Sequence, residues 1–443
     1  MKRREVLKSA GALAGAALLP ECGQGPGKID TLVYLMMENR TYDHVLGARS
    51  MLEGLPGDGL TAGMSNPDAK GNPIAPFAPP SAALCVPDPP HGWNPSHAQF
   101  NGGANDGFVR QHQAAHAGDV SCMQYLTRRE APVTWALADR YASCDRWFAS
   151  VMGPTWPNRF YWYAGTSMGR DRNAVPAGGF TAPTIFGRLE AAGIDYRIYY
   201  GDVPFTALLG KADFDLDAHA GPITRFFDDA KNGRLPRVSY LDPPFGAADD
   251  HPPHHPILGQ QFIASVYQAL AASPQWDRCL FVLTYDEHGG FFDHVPPPRT
   301  DDELAAQGFD QLGFRVPAIL VGPYVKPGYV SSVVRNHASA LRQIQALFGV
   351  GPDTARIRAA PDLSEMIDQA RLARGEAARP AAIPSVDVEP WAIDESTCGV
   401  GIGRKDHDIL RLADEHPELV SRFDLRAQLA GTMEAVARQA RGG

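Results

Sequence analysis

The sequence predicts an α/β domain built on a mainly parallel β-sheet. Three observations lead there. Ile29–Met37 (IDTLVYLMM), Cys279–Tyr285 (CLFVLTY) and Pro317–Val321 (PAILV) are continuous apolar runs of strand length. Unbroken apolar character, without alternation, is expected of strands buried on both faces of a parallel sheet. Segments with helical spacing separate such runs, the order of an α/β chain. The composition is that of a globular protein, with 44% hydrophobic and 21% charged residues in 443.

The elements follow in chain order. Residues 1–27 read as a targeting segment. Arg3-Arg4 forms a twin-arginine pattern, and Ala10–Leu19 is an apolar stretch. A membrane span needs about 20 residues, so this one is too short. It points to the twin-arginine export machinery and a periplasmic or secreted location. Cys22 follows Leu19-Pro20-Glu21, a loose likeness to a lipoprotein cleavage site, so a lipid anchor at Cys22 is a further expectation. After the first strand, Ser50–Gly118 is rich in Gly, Pro, Asn and Asp and reads as a long irregular excursion; loops of that length usually build a site or a lid. Thr184–Ala192 reads as a helix stopped by Gly193, with a strand over Ile194–Tyr200. Gly259–Ala272 and Ala338–Phe348 have helical spacing and end at Pro274 and Gly349. Beyond Asp362, Leu363–Arg374 and Asp408–Arg441 read as helices joined by a Pro-containing loop and packed on the core.

The net charge is −9, with 41 Lys and Arg against 50 Asp and Glu. Nucleic-acid binders normally carry a basic face, so that class is set aside. Phosphate substrates are not, because a bound metal can supply positive charge. Besides Cys22 there are Cys85, Cys122, Cys144, Cys279 and Cys398, with no CxxC pair, which disfavours thiolate zinc. An exported location permits a disulfide, but the sequence does not choose the pair.

Chemistry concentrates where strands end, since ligands in α/β sheets sit beyond the carboxyl ends of the strands. One buried run leads into Glu38-Asn39-Arg40, another into Asp286-Glu287-His288-Gly289-Gly290. Together they make an oxygen-rich set suited to a divalent cation. Gly153-Pro154-Thr155-Trp156-Pro157-Asn158-Arg159 frames a hydroxyl with prolines. A helix starting there would favour an anion beside Thr155; a capping Thr is the plainer alternative. His91-Gly92-Trp93, Asp249-Asp250-His251-Pro252-Pro253 and Asp293-His294 are further loop clusters. His116 and His407 read as ordinary hydrogen-bonded histidines, and His254 and His255 as residues that shape a loop.

Taken together these blocks resemble the bacterial phosphoesterase family, which contains phospholipases C and certain acid phosphatases. Glu38–His44 is similar to its E-N-R-[ST]-[FY]-D-H start, Gly153–Arg159 to G-P-[TS]-x-P-N-R, and Asp286–Val295 to D-E-x-G-G-x-[FY]-D-H-V. Asp249–Pro253 and His337-Ala338-Ser339 with Leu341 match further elements, in order, from about Ile29 to Val350. The resemblance implies a three-layer α/β/α, alkaline-phosphatase-like core and metal-assisted phosphoester hydrolysis. It implies Thr155 as nucleophile, with Glu38, Asn39, Asp286, Glu287 and the Thr155 oxygen around a divalent metal ion. His91 and His251 would contact the phosphoryl group or protonate the leaving group; Asn158 and Asp250 would support. Trp156 stands where family members often have His. The expected division is a signal segment over 1–27, a catalytic domain over 28–360 and a helical extension over 361–443, with no appended β-domain for surface targeting. The expected activity is phospholipase C action on a phospholipid, which brings membrane-surface contact; the alternatives are a broad acid phosphatase and, more remotely, a non-catalytic ligand-binding surface protein. A sulfatase is disfavoured, because Gly153–Arg159 lacks C/S-x-P-x-R.

Overall fold

The computed structural model describes residues 27–80, 84–389, 398, 407–423 and 425–442. The twin-arginine segment and Cys22 lie outside them.

Eight strands form the main sheet: β1 (Thr31–Met37), β2 (Ala142–Cys144), β3 (Tyr196–Tyr200), β4 (Ala220–Pro222), β5 (Val238–Asp242), β6 (Cys279–Tyr285), β7 (Ala318–Val321) and β8 (Val330–Ser331). Their order across the sheet is β8-β2-β7-β6-β1-β5-β3-β4. β1 lies at the centre, paired in parallel with β5 on one side and β6 on the other. Every residue of β1 and β6 is buried, as their unbroken apolar runs predict. The sheet is mainly parallel, but β7 runs antiparallel to both β6 and β2. The parallel reading of Pro317–Val321 is thus corrected: an apolar run records burial on both faces, not strand direction.

Six helices matter most to the site: α1 (Trp93–Phe100), α2 (Thr155–Ala164), α3 (Pro256–Ala271), α4 (Ala338–Phe348), α5 (Asp408–Glu415) and α6 (Leu425–Ala440). α2 packs with α4, and α3 packs with α6 and with the helices at Pro132–Arg140 and Ile223–Lys231. Tyr34 of β1 faces the first group: its hydroxyl donates to Ala340 O at 3.2 Å and its ring meets Trp162 edge-on. Successive strand residues point to opposite faces, so the second group covers the other face and the fold has three layers. Ile409, Val420, Phe423, Met433 and Val436 join the same apolar core as the sheet.

Local expectations differ from the structure in places. Ser50–Gly118 contains α1 and a second eight-residue helix, Phe108–Ala115, besides a short hairpin of Asn66–Pro67 with Pro73–Ile74. α3 starts three residues before Gly259, at Pro256, whose ring suits a first helical position. Leu363–Arg374 divides into a single 3-10 turn over Ser364–Met366 and an α-helix over Gln369–Arg374, and Asp408–Arg441 is broken at Pro417 and again before Leu425. Cys85 and Cys398, 313 residues apart, form a disulfide; Cys122, Cys144 and Cys279 are buried free thiols.

Because β1 is fully enclosed, truncating it leaves a cavity that its neighbours cannot fill. Leu35→Ala is expected to lower unfolding free energy by about 2–5 kcal/mol, measured by denaturant titration.

Candidate functional site

The register of β1 with β6 sets Met37 beside Tyr285, so the residues that follow meet at one sheet edge. There the Asn39 N–H donates to Asp286 Oδ1 at 2.9 Å, and the Asp286 N–H to Met37 O at 3.0 Å. Asn39 adopts φ +60°, a left-handed conformation that Asn tolerates better than most residues. Gly289, at φ +61°, folds back over it: a Cβ there would lie 2.2 Å from Asn39 O, so only glycine fits. The Gly289 N–H donates to Glu287 Oε2 at 2.8 Å. His337, reached from the start of α4, donates from Nε2 to Asp286 O at 2.6 Å; Trp147 donates to its other nitrogen and fixes that tautomer. Burial pushes the His337 pKa down to about 3, so it is neutral.

Thr155 is the first residue of α2 and caps no backbone group with its side chain. Instead its hydroxyl donates to Glu38 Oε2 at 3.2 Å. One turn on, Arg159 donates to Glu38 Oε1 from Nε (3.0 Å) and Nη2 (2.6 Å), and to Asp242 Oδ1 at 3.3 Å. Asn158 accepts the Val151 N–H and donates to the carbonyls of Val151, Gly153 and Pro154, so it shapes the turn before Thr155. Trp156 is fully buried against Phe160 and Phe205, in the core behind the helix.

Two histidines reach the cavity. His91 donates from Nδ1 to Pro89 O at 2.7 Å, leaving Nε2 3.3 Å from the Asn39 amide nitrogen and 3.9 Å from Glu287 Oε1. Burial lowers its pKa, but Glu287 and Asp88 outweigh burial and raise it to about 9. His251 donates from Nδ1 to Pro252 O at 2.6 Å. Burial and the neighbouring His407 hold it well below the usual histidine range. Asp250 points elsewhere: its carboxylate accepts the Tyr285 hydroxyl at 2.6 Å, and its carbonyl accepts Arg40 Nε at 2.8 Å.

The residue that ties these parts together is Asp249, which the sequence reading passed over in favour of Asp250. Its carbonyl accepts the Glu38 N–H at 2.8 Å, and its Oδ1 accepts the His251 N–H at 3.0 Å and lies 2.8 Å from His254 Nδ1. His407 Nε2 stands 2.8 Å from Oδ2. Burial would push this carboxyl up, but His254 and His407 hold it well below the carboxylate range. His407 is a buried histidine, as the sequence suggests, but its neighbour is Asp249. Nothing in its local sequence marks it, since it arrives from beyond Asp362.

A cation fits the oxygen set. Asn39 Oδ1, Asp286 Oδ2 and Glu287 Oε1 are buried without a hydrogen-bond partner. Burial and the neighbouring Asp286 push the Glu38 carboxyl up, burial and Glu287 push Asp286 to about 6, and burial pushes Glu287 to about 7. Unpaired buried carboxylate oxygens are costly unless a cation meets them. Ligand atoms lie within 4.8 Å of one another in two mixed groups, Glu38, His251 and His407, and Asp88, His91 and His251; Glu38, Asp286 and Glu287 are not such a group. A third, Asp43, Asp293 and His294, is already neutralised by Arg315, whose Nη2 and Nε lie 3.0 and 2.9 Å from the two aspartates.

A cavity of about 550 Å³ opens beside His91 and His251; Glu38, Asn39, Thr155, Asp286 and Glu287 do not line it. His91, His251 and Pro154 line its wall nearest Thr155; Trp93, Asp408 and Arg411 line its mouth. Phe205–Leu209 is buried and does not line it.

Residues 29–351 match the Phosphoesterase family. Over 339 residues the chain is 36% identical to non-specific phospholipase C1 of Arabidopsis thaliana, an alignment covering 69% of this chain and 62% of that protein. The chain thus spans less than two thirds of that relative's length. Phospholipase C B of Mycobacterium tuberculosis is 29% identical over 433 residues, covering 79% of this chain and 82% of that one. Among solved structures, a protein in the alkaline phosphatase superfamily from Vibrio parahaemolyticus aligns with a TM-score of 0.41 and 12% identity, over 77% of this chain and 72% of the other.

The Arg159–Glu38 pair is fully enclosed, so removing the guanidinium strands two carboxylates. Arg159→Met is expected to destabilise the fold by about 3–5 kcal/mol, measured by denaturant titration.

Proposed function

The chain belongs to the phosphoesterase family, and from that premise we propose that it is an exported, metal-dependent phospholipase C working through a phosphothreonine. The observation that carries this reading is the Thr155 hydroxyl on Glu38, beside the unpaired oxygens of Asn39, Asp286 and Glu287. Relatives named phospholipase C support the substrate class.

A divalent cation held by Glu38, Asn39, Asp286, Glu287 and the Thr155 oxygen would supply positive charge to the nucleophile and to the phosphoryl oxygens. The chain's own groups do the rest. The first turn of α2 presents its amide end to the phosphoryl anion beside Thr155. Thr155 Oγ1 attacks phosphorus in line and gives its proton toward Glu38 Oε2, its resting hydrogen-bond acceptor. The bond from phosphorus to the diacylglycerol oxygen breaks, and that oxygen takes a proton from His91 Nε2. His91 is the suited donor because its Nδ1 is fixed on Pro89 O and carboxylates surround the ring. His251 has its Nδ1 proton committed to Pro252 O and offers an acceptor nitrogen instead. Water then attacks the phosphothreonine; His91 takes its proton, Thr155 leaves with a proton returned, and the phosphorylated head group departs. Asn158 and Asp250 act by holding the turn before Thr155 and the end of β6.

Export is supported by the twin-arginine pattern and by the Cys85–Cys398 disulfide, a bond that persists in oxidising compartments. No helix of the described residues is long and apolar enough to cross a membrane.

One observation favours a phosphomonoesterase as the second reading. The cavity mouth carries Asp88, Asp171, Arg172, Asp408 and Arg411, and Trp93 is its one large aromatic residue. A polar mouth admits a small ester as readily as a lipid. Parallel assays with a chromogenic phosphocholine diester and a chromogenic phosphate monoester separate the two; faster turnover of the diester is expected. Thr155→Ala should reduce turnover of either substrate by about 10³-fold or more while leaving the melting temperature in place. Near-full activity in that variant would remove the nucleophile assignment. In wild-type protein quenched in acid during turnover, peptide mass mapping should find the phosphoryl group on Thr155.

A further inference from the structure

We propose that His407, which lies beyond the family match, is a positioning residue of the phosphoester site and acts through Asp249. The proposal rests on the functional reading above. It starts from the work that Asp249 does. One carbonyl and one carboxylate oxygen of Asp249 fix the backbone of both Glu38 and His251. Glu38 accepts the Thr155 hydroxyl, and His251 lines the cavity. The second carboxylate oxygen faces His407 Nε2 at 2.8 Å. A buried carboxylate oxygen that loses its cationic or donor neighbour must find another partner. Turning the Asp249 side chain to find one would release the His251 N–H and shift the segment that holds Glu38.

His407 is built for this and for little else. It is 1% exposed, so substrate does not reach it. Its Nδ1 accepts the Ile409 N–H at 3.2 Å, which leaves Nε2 as the nitrogen turned to Asp249. Its ring packs on His251 at 4.5 Å between centroids. Its Nε2 meets Asp249 as a close polar contact at 2.8 Å rather than a well-aligned hydrogen bond.

The segment is also held at the site from other directions. Cys398, upstream of His407, is bonded to Cys85, which leads into the Asp88–His91 wall of the cavity. Asp408, the next residue, accepts the Asn173 amide, and Asn173 Oδ1 accepts the Trp156 N–H of α2 at 2.9 Å. The C-terminal segment therefore reaches the nucleophile's helix on one side and the Glu38–His251 backbone on the other.

Three variants of the full chain test this, assayed on the chromogenic phosphoesters with melting curves in parallel. Phe fills the ring's volume but donates nothing to Asp249; Gln keeps an N–H donor. H407F should lower kcat about 10–100-fold, the usual effect of losing a group that orients a site residue, with KM within about threefold. H407Q should restore most of that loss. The H407F/D249N double variant should be no slower than D249N alone, because both act through one contact. Wild-type kcat in H407F, or H407Q as slow as H407F, overturns the proposal. If wild-type protein turns over neither ester, the functional reading itself has failed, which is a distinct result.

Discussion

The site depends on one constraint, the parallel register of β1 with β6. Thr31 opposes Cys279 and Met37 opposes Tyr285, and that pairing carries Glu38 and Asn39 up against Asp286 and Glu287. A slip of one residue would turn each strand's side chains to the other face. Helices cover both faces and every side chain of the two strands is buried, so the core resists a slip. β5 completes the arrangement from the other side of β1. The loop that leaves it returns as Asp249, whose carbonyl takes the Glu38 N–H. The central strand is thus pinned at its exit by chain segments that follow both of its neighbours.

That geometry concentrates negative charge where water cannot relieve it. Glu38 has Arg159 as its partner, and Glu287 has His91 nearby. Asp286 spends one oxygen on backbone amides and keeps the other free. Burying such a cluster is unfavourable unless a cation completes it, and Asn39 Oδ1, Asp286 Oδ2 and Glu287 Oε1 are left without a partner. The N-terminus of α2, with Thr155 in its first position, adds a site for an anion beside it. A cation site next to an anion site, close to a cavity, is what phosphoryl transfer asks of a protein.

Much of this was legible in the chain. Unbroken apolar runs marked β1 and β6, and the carboxylates that follow them marked the sheet edge. Gly289 could be read as a close approach, and the structure gives the partner, Asn39 O. What was not legible shares one physical cause. Strand direction at β7, the choice of Asp249 over Asp250, the partner of Cys85 and the contact of His407 with Asp249 are all set by contacts between segments far apart in sequence. Asp249 and Asp250 are adjacent and chemically alike. Only the turn between β5 and α3, with Asp250 at φ +76°, decides that one faces Glu38 and the other Tyr285. β5 itself was missed because VSYLD is short and half polar, although all five residues are buried.

The central claim is that Glu38, Asn39, Asp286 and Glu287 hold a divalent cation as a set. Elemental analysis of purified protein tests it most directly, with wild type measured beside Asp286→Asn and Glu287→Gln. The account predicts a stoichiometric divalent metal in the wild type, with most of it lost from both variants while the chain remains folded. Fully active protein without metal, or variants that keep their metal, would contradict it.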